Sequence, residues 1–386
     1  MMRVCLPSSM WRAGLVVASA LAMAAPLGAQ GTISTQGFGY PLGGLSTRAS
    51  ATGGALGEFD HLSARNPAAV GGWGRSGLYF EFDPEMRRIN TANASDRTTT
   101  ARFGVMAAGF TVGQRWAIGV SNHAFLDRSW ATKVRSGQRL GDDSVSYLES
   151  FSSRGGIGEN RIAVSYTLHP KLVVGAGLHL FSGENRVKLA RQFDDSIRYG
   201  SLTRDLTLSY TGTGASAGAI VTPFKGLSLA GSYRYGGTMR LRVVDTLRTE
   251  ANVPTRYGVA MRLDLIPGVS LLGSADHNQW SKLSGLGSTT ANGIDAWEYA
   301  GGAQFTGQRT RNVPWTYSVG YRQRDLPFAA AGAVVSEKII SGGVSVPVSG
   351  PRATLEMAVQ RAARDAAAGS TSERAWLLSF GLSVRP

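Results

Sequence analysis

The last stretch of the chain, Trp376-Leu377-Leu378-Ser379-Phe380-Gly381-Leu382-Ser383-Val384, sets large apolar residues at every even position and mostly small or polar ones at the odd positions. A period of two describes a β-strand with one apolar and one wet face. The alternation recurs from about residue 75 to the end. With turn residues as punctuation it predicts about fourteen strands, near 76–82, 100–112, 116–128, 157–168, 171–183, 205–222, 227–241, 254–265, 269–279, 295–306, 314–323, 334–346, 353–361 and 374–384. In the eighth, Tyr257, Val259, Met261, Leu263 and Leu265 oppose Arg256, Gly258, Ala260, Arg262 and Asp264. In the thirteenth, Leu355, Met357 and Val359 oppose Thr354, Glu356, Ala358 and Gln360. In the eleventh, Trp315, Tyr317, Val319 and Tyr321 oppose Thr316, Ser318, Gly320 and Arg322.

The connections alternate in length. Val112-Gly113-Gln114-Arg115, His169-Pro170, Pro223-Phe224-Lys225-Gly226, Ile266-Pro267-Gly268 and Val348-Ser349-Gly350-Pro351 are short, while 129–156, 184–204, 280–294, 324–333 and 362–373 are longer. Short inner turns and long outer loops mark an outer-membrane barrel. The expectation is therefore an all-β protein: a transmembrane antiparallel β-barrel of about fourteen strands over 75–386, with both termini periplasmic. Trp116, Trp280, Trp315 and Trp376 fall near strand ends, where an indole can sit between hydrocarbon and water.

The N-terminus adds the location. Arg3 and Arg12 precede or flank an uncharged, largely apolar run from Gly14 to Ala25, and Leu27-Gly28-Ala29 offers a small residue before a cut. Residues 1–29 read as a secretory signal, with an uncleaved anchor as the alternative; the run is too short for a membrane helix. Cys5, the single cysteine, lies in that segment and leaves with it, and it lacks the position of a lipid-modified cysteine. The mature chain then has no disulfide, thiolate metal site or cysteine nucleophile.

Composition fits this class. Charged residues make up only 17%, and no later segment has the apolar length of a membrane helix. The net charge of +14 falls to +12 once Arg3 and Arg12 are removed. The arginines are scattered and form no nucleic-acid motif, so the excess points to anionic lipid head groups of the outer membrane or anionic solutes rather than nucleic acid.

Residues 30–74 are rich in Gly, Ala and Ser and lack sustained alternation. A segment of this kind ahead of the first strand is expected to fold back and plug the lumen. Gly53, Gly54, Ala55, Asp60, Ser63, Asn66, Pro67 and Ala68 resemble the N-terminal hatch of the long-chain fatty acid transporter family (FadL and TodX type) and of the related PorV-type proteins. The resemblance implies a fourteen-stranded barrel without enzymatic activity or cofactor. In the FadL type, a hydrophobic or amphipathic compound, such as a fatty acid or aromatic hydrocarbon, enters the lumen and leaves sideways through a gap in the wall under control of the hatch. In the PorV type, a similar barrel receives cargo proteins or contacts subunits of a secretion system. A structural barrel without transport is a further reading, and an outer-membrane enzyme another, which would need a converged catalytic cluster near the lipid face that the sequence does not display. The 129–156 connection, with Lys133, Arg135, Arg139, Asp142, Asp143, Glu149 and Arg154, is more polar than the capture surface of a fatty acid transporter.

Candidate lumen residues are Arg234, Arg256 and Arg262, either as anchors for a carboxylate or as partners of the inward acids Asp264, Asp276 and Glu356. Gly214-Ala215-Ser216-Ala217-Gly218 matches a nucleophile elbow, but it lies in a continuous strand pattern with no helix following. His61, His123, His169, His179 and His277 show no metal-ligand spacing, and His179 is expected to face the lumen. Glycines near 37–44 and 155–158 lack the strand-to-helix setting of a nucleotide loop. Trp376, Leu378, Phe380, Leu382 and Val384 resemble the terminal strand read by the barrel assembly machinery, although Arg385-Pro386 replaces the usual final aromatic. The terminal strand is expected to close the barrel on the first.

Overall fold

A computed structural model of the chain describes residues 38–91, 95–140, 143–244, 246–286, 293–307, 314–330, 333–350, 352–366 and 371–385. The expected signal segment at 1–29 and residues 30–37 of the plug lie outside the described residues. The strands are β1 (Tyr40–Pro41), β2 (Gly77–Thr91), β3 (Ser95–Phe103), β4 (Met106–Val112), β5 (Trp116–Asp127), β6 (Trp130–Leu140), β7 (Asp143–His169), β8 (Leu172–Phe193) and β9 (Leu202–Phe224). They continue as β10 (Leu227–Val243), β11 (Thr246–Asn252), β12 (Thr255–Ile266), β13 (Val269–Gln279), β14 (Ala296–Thr306), β15 (Thr316–Ala330), β16 (Ala333–Pro347), β17 (Ala353–Ala366) and β18 (Thr371–Val384).

Every wall pairing is antiparallel, and β18 pairs with β2 from Thr371↔Thr91 to Val384↔Leu78, closing the ring. Three wall strands are interrupted: β3 continues as β4, β5 as β6, and β11 as β12. The wall is therefore a fourteen-stranded barrel. Closure through β18 and β2 joins the two ends of the wall sheet, which leaves far fewer backbone groups unpaired than an open sheet would in lipid.

Side chains sort across the wall as the alternation predicts. Tyr257, Val259 and Met261 of β12 are exposed while Arg256 and Ala260 are buried; Met357 and Val359 of β17 are exposed while Glu356, Ala358 and Gln360 are buried. Such an inversion, with apolar groups outside and charged ones inside, is stable only where the outside is lipid. Trp116, Trp315 and Trp376 face outward, but Trp280 does not. It is buried inside the barrel and stacks on Phe125 at 5.5 Å.

The short turns fall where expected, and Gly113, Gly226 and Gly268 take the left-handed conformation in three of them. The long connections are different. Most of 129–156 is β6 and the upper half of β7, much of 184–204 is β8 and β9, and the segments 324–333 and 362–373 are largely strand. Of these connections, 280–294 holds a short 3₁₀ turn, Trp280–Leu283. Strand β7 has 27 residues, or roughly 90 Å at about 3.3 Å per residue, against a hydrocarbon core of about 30 Å. Its upper half therefore stands clear of the membrane even when tilted. There the outer face is polar and the inner face keeps only scattered apolar residues such as Val145 and Tyr147, so the two-residue hydropathy signal weakens although the backbone ladder continues.

Residues 38–76 occupy the lumen. Helix α1 (Thr47–Ala51) is capped by Ser46, whose hydroxyl accepts from the Ala49 N–H. A 3₁₀ helix, Pro67–Trp73, is capped by Asn66, with Pro67 at its first position where a missing N–H costs nothing. The wall receives this segment at glycines. The backbone of Thr52 and Gly53 lies where Gly320 would carry a Cβ, and the Asn66 side chain lies where Gly218 would carry one.

Candidate functional site

The hatch-like residues build one local structure. The Asp60 carboxylate accepts from the hydroxyls of Ser46 and Ser63, the latter at 2.6 Å, and pairs with the Arg48 guanidinium. Burial pushes its pKa up, but Arg48 foremost, then His61 and the two hydroxyls, hold it below the ordinary carboxylate value. Gly53 and Gly54 turn the chain after α1 with positive φ, and the Gly54 N–H donates to Ala49 O at 2.8 Å. Ala55 and Ala68 are buried. Asn66 accepts from the Ala68 N–H at 2.9 Å and donates to Glu58 O at 3.1 Å.

Ionic contacts tie the segment to the wall. The Arg65 guanidinium donates to Asp276 at 2.6 Å and Glu298 at 2.9 Å, and Arg256 bridges Asp276 and Glu58. The Tyr40 hydroxyl donates to Glu337 at 2.8 Å and accepts from Arg364 at 3.0 Å, and the guanidiniums of Arg87, Arg102, Arg324 and Arg364 lie within 6 Å of its ring. Charges removed from water in this way need such pairing to be tolerated at all.

Of the other predicted lumen residues, Arg234 is largely buried and donates to Glu159 at 2.8 Å rather than to one of the three named acids. Arg262 points inward but near the turn end, where it is partly exposed and donates to Asp264 at 2.9 Å. Glu356 is buried and takes a hydrogen bond from the Arg48 backbone. The terminal-strand residues Trp376, Phe380, Leu382 and Val384 are exposed on the outer face, and Leu378 is half-buried.

Sequence spacing did not show how Ser216, His179 and Glu159 meet on β9, β8 and β7. The His179 ring sits 2.8 Å from Ser216 Oγ and 2.6 Å from Glu159 Oε1. The order is that of a hydrolase triad. However, β9 is laddered on both sides here, with Ser216 opposite Gly177 and Arg234, so its backbone N–H groups are committed to neighbouring strands. The strand backbone therefore offers no oxyanion site beside the hydroxyl. The arrangement wires the wall polar network together.

A buried apolar cluster joins the plug to the wall. Phe38, Phe125, Leu126, Ile157, Phe181 and Tyr210 pack with Met239, Leu241, Val253, Trp280, Leu283 and Leu286. Beside it the wall ladder is interrupted. Strand β4 pairs with β5 from Val112↔Trp116 to Met106↔Asn122, whereas among the described residues β3 pairs with β2 alone. The edge of β5 beyond Asn122 pairs instead with β1, Tyr40 opposite Asp127 and Pro41 opposite Leu126. A cavity of about 470 Å³ lies at this break, lined by Thr100–Arg102 on one side, Ala124, Leu126 and Asp127 on the other, and Leu42 of the plug. One ion pair crosses it, Arg102 Nε to Asp127 Oδ2 at 3.2 Å.

No protein-family model matches the sequence, and no curated protein matches it. Solved structures do resemble the fold. A FadL homologue from Pseudomonas aeruginosa aligns over 90% of this chain and 99% of its own, at TM-score 0.60 and 14% identity. The toluene transporter TodX of Pseudomonas putida covers 89% and 99% at TM-score 0.59 and 13% identity. The monoaromatic hydrocarbon channel CymD covers 89% and 98% at TM-score 0.56 and 13% identity. The fourteen-stranded wall and its match to these structures from end to end give the chain the FadL-type barrel fold.

Proposed function

We propose that the protein is an outer-membrane channel for hydrophobic small molecules of the aromatic-hydrocarbon or fatty-acid class, with its termini on the periplasmic side. The observation that carries this reading is the interrupted ladder between β3 and β5, beside a cavity of about 470 Å³ that the plug residue Leu42 helps to line. A solute desolvated against Leu42, Ala124 and Leu126 of this cavity gains on the order of 25 cal/mol per Å² of apolar surface buried. The break offers it a sideways exit into lipid without passage through a polar pore. Segment 38–76, anchored by Tyr40, Glu58 and Arg65, acts as the hatch that governs entry to that exit. The structural neighbours CymD and TodX, named for monoaromatic hydrocarbons and toluene, support the substrate class.

Uptake of labelled fatty acids and of toluene-like hydrocarbons into cells or liposomes tests the reading. The protein is expected to raise uptake of at least one class, and tryptophans at Ala101 and Ala124, which fill the break, are expected to remove most of the gain. Equal uptake with and without protein across both classes ends the transport reading. Full uptake through the filled variant ends the lateral route alone.

A further inference from the structure

The outer face of the wall carries a row of cations that the lumen networks do not use. In register, Lys338 of β16 lies opposite Ala363 of β17, Ala363 opposite Arg374 of β18, Arg374 opposite Arg88 of β2, and Arg88 opposite Arg97 of β3. Three arginines thus stand side by side on adjacent strands, each about 5 Å from the next at the backbone. All point outward, because Trp376 and Met86, two residues along β18 and β2, are exposed on the same face. Arg361 adds a fourth guanidinium one row below, 5.7 Å from the Trp376 ring.

Acids balance this row only at Arg374. Asp365 takes a hydrogen bond from Arg374 at 2.6 Å, while Glu85 and Glu373 face the lumen and are buried. Among the described residues no acidic side chain pairs with Arg88 or Arg97. Like charges placed directly opposite across strands are destabilising, so the row is suited to an anion supplied from outside the chain.

Its height indicates which anion. The row lies one step beyond the apolar band formed by Met86, Trp376, Phe82, Phe103 and Phe380. The phosphates of a bilayer leaflet sit at the level where hydrocarbon gives way to water. We infer that Arg88, Arg97 and Arg374, assisted by Arg361 and Lys338, bind the phosphate groups of an anionic phosphorylated lipid in the outer leaflet. Guanidinium is matched to a phosphate by its bidentate fork, and a shared dianion removes the cross-strand repulsion. The lipid would then stand against β3, the strand that borders the break in the wall. The inference uses the orientation proposed above but not the transport activity.

The probe is diphosphoryl lipid A titrated into the purified, detergent-folded protein, beside the same lipid with its phosphates removed and inorganic phosphate alone. Each guanidinium of the row adds to the attraction for a phosphorylated lipid. Replacing Arg88, Arg97 and Arg374 by glutamine is therefore expected to weaken binding of the diphosphoryl lipid on the order of a hundredfold. Lysine at the same three positions should retain most of it, and Arg115→Gln with Lys225→Gln in the inner turns should change little. Heat-modifiable gel migration shows that each variant is folded. Undiminished binding by the glutamine variant overturns the inference, as does equal binding of the dephosphorylated lipid. Inorganic phosphate binding as tightly as the lipid overturns the assignment to a lipid.

Discussion

His61 shows how a single side chain couples the plug to acid. Its Nδ1 lies 3.0 Å from the Arg48 guanidinium and its Nε2 lies 3.0 Å from that of Arg385, with the Trp73 ring 5.1 Å away. Burial first, and then the two guanidiniums, hold the imidazole well below its ordinary value against the opposing pull of Asp60. The folded protein keeps it neutral while the unfolded chain takes up a proton near pH 6.5. This contribution to stability is therefore complete above that pH and is lost as pH falls below it. Trp73 fluorescence, or protease susceptibility of the plug, followed from about pH 7.5 to about pH 5 should show loosening in the wild type and much less in His61→Gln. Identical pH profiles in the two proteins would remove His61 from the account. Asn66-Pro67 was readable in the sequence as a turn because capping is local. The partners of Tyr40, Glu58 and Arg65 were not, because each lies about two hundred or more residues away in the chain.

Strands were readable where their two faces meet different surroundings. Along β12, lipid lies on one side and the buried network on the other, so Tyr257, Val259 and Met261 alternate cleanly with Arg256 and Ala260. Along β6 and upper β7 the outer face meets water and only scattered apolar residues such as Val145 and Tyr147 turn inward, so the same backbone geometry writes too sparse a hydropathy pattern to read. Arg262 and Arg256 illustrate a second limit. They share a face, which the period predicts, but differ in height, which it does not, and only Arg256 reaches the plug. The break between β3 and β5 is likewise a property of pairing between strands. Asp127 and Arg102 tie its two sides, and Asp127→Asn keeps the shape while removing one charge. Both side chains are largely withdrawn from water, where loss of one partner is costly, so a rise in hydrocarbon uptake is expected, measured on the same liposome assay. Unchanged or reduced uptake by a folded Asp127→Asn barrel would show that this ion pair does not hold the break shut.

At the scale of the whole molecule, wall and plug close together at one seam. Strand β18 is bonded to β17 on one side and to β2 on the other, and Arg385, just past its end, reaches His61 of the plug. Removing residues 376–386 therefore does more than shorten an edge. It exposes the ladders of β17 and β2 to lipid, where each unsatisfied backbone group costs several kcal/mol. It also deletes the outward face of Trp376, Phe380, Leu382 and Val384 and frees the Arg385 side of His61. The losses fall on assembly and plug seating together, so partial function is not expected. The truncated chain should fail to reach a heat-modifiable, membrane-inserted form in cells, whereas full-length chains carrying Arg385→Gln should insert normally and differ only in the plug's response to acid. A truncated chain that inserts and migrates as a folded barrel would show that β2 and β17 can close the ring without the fourteenth strand.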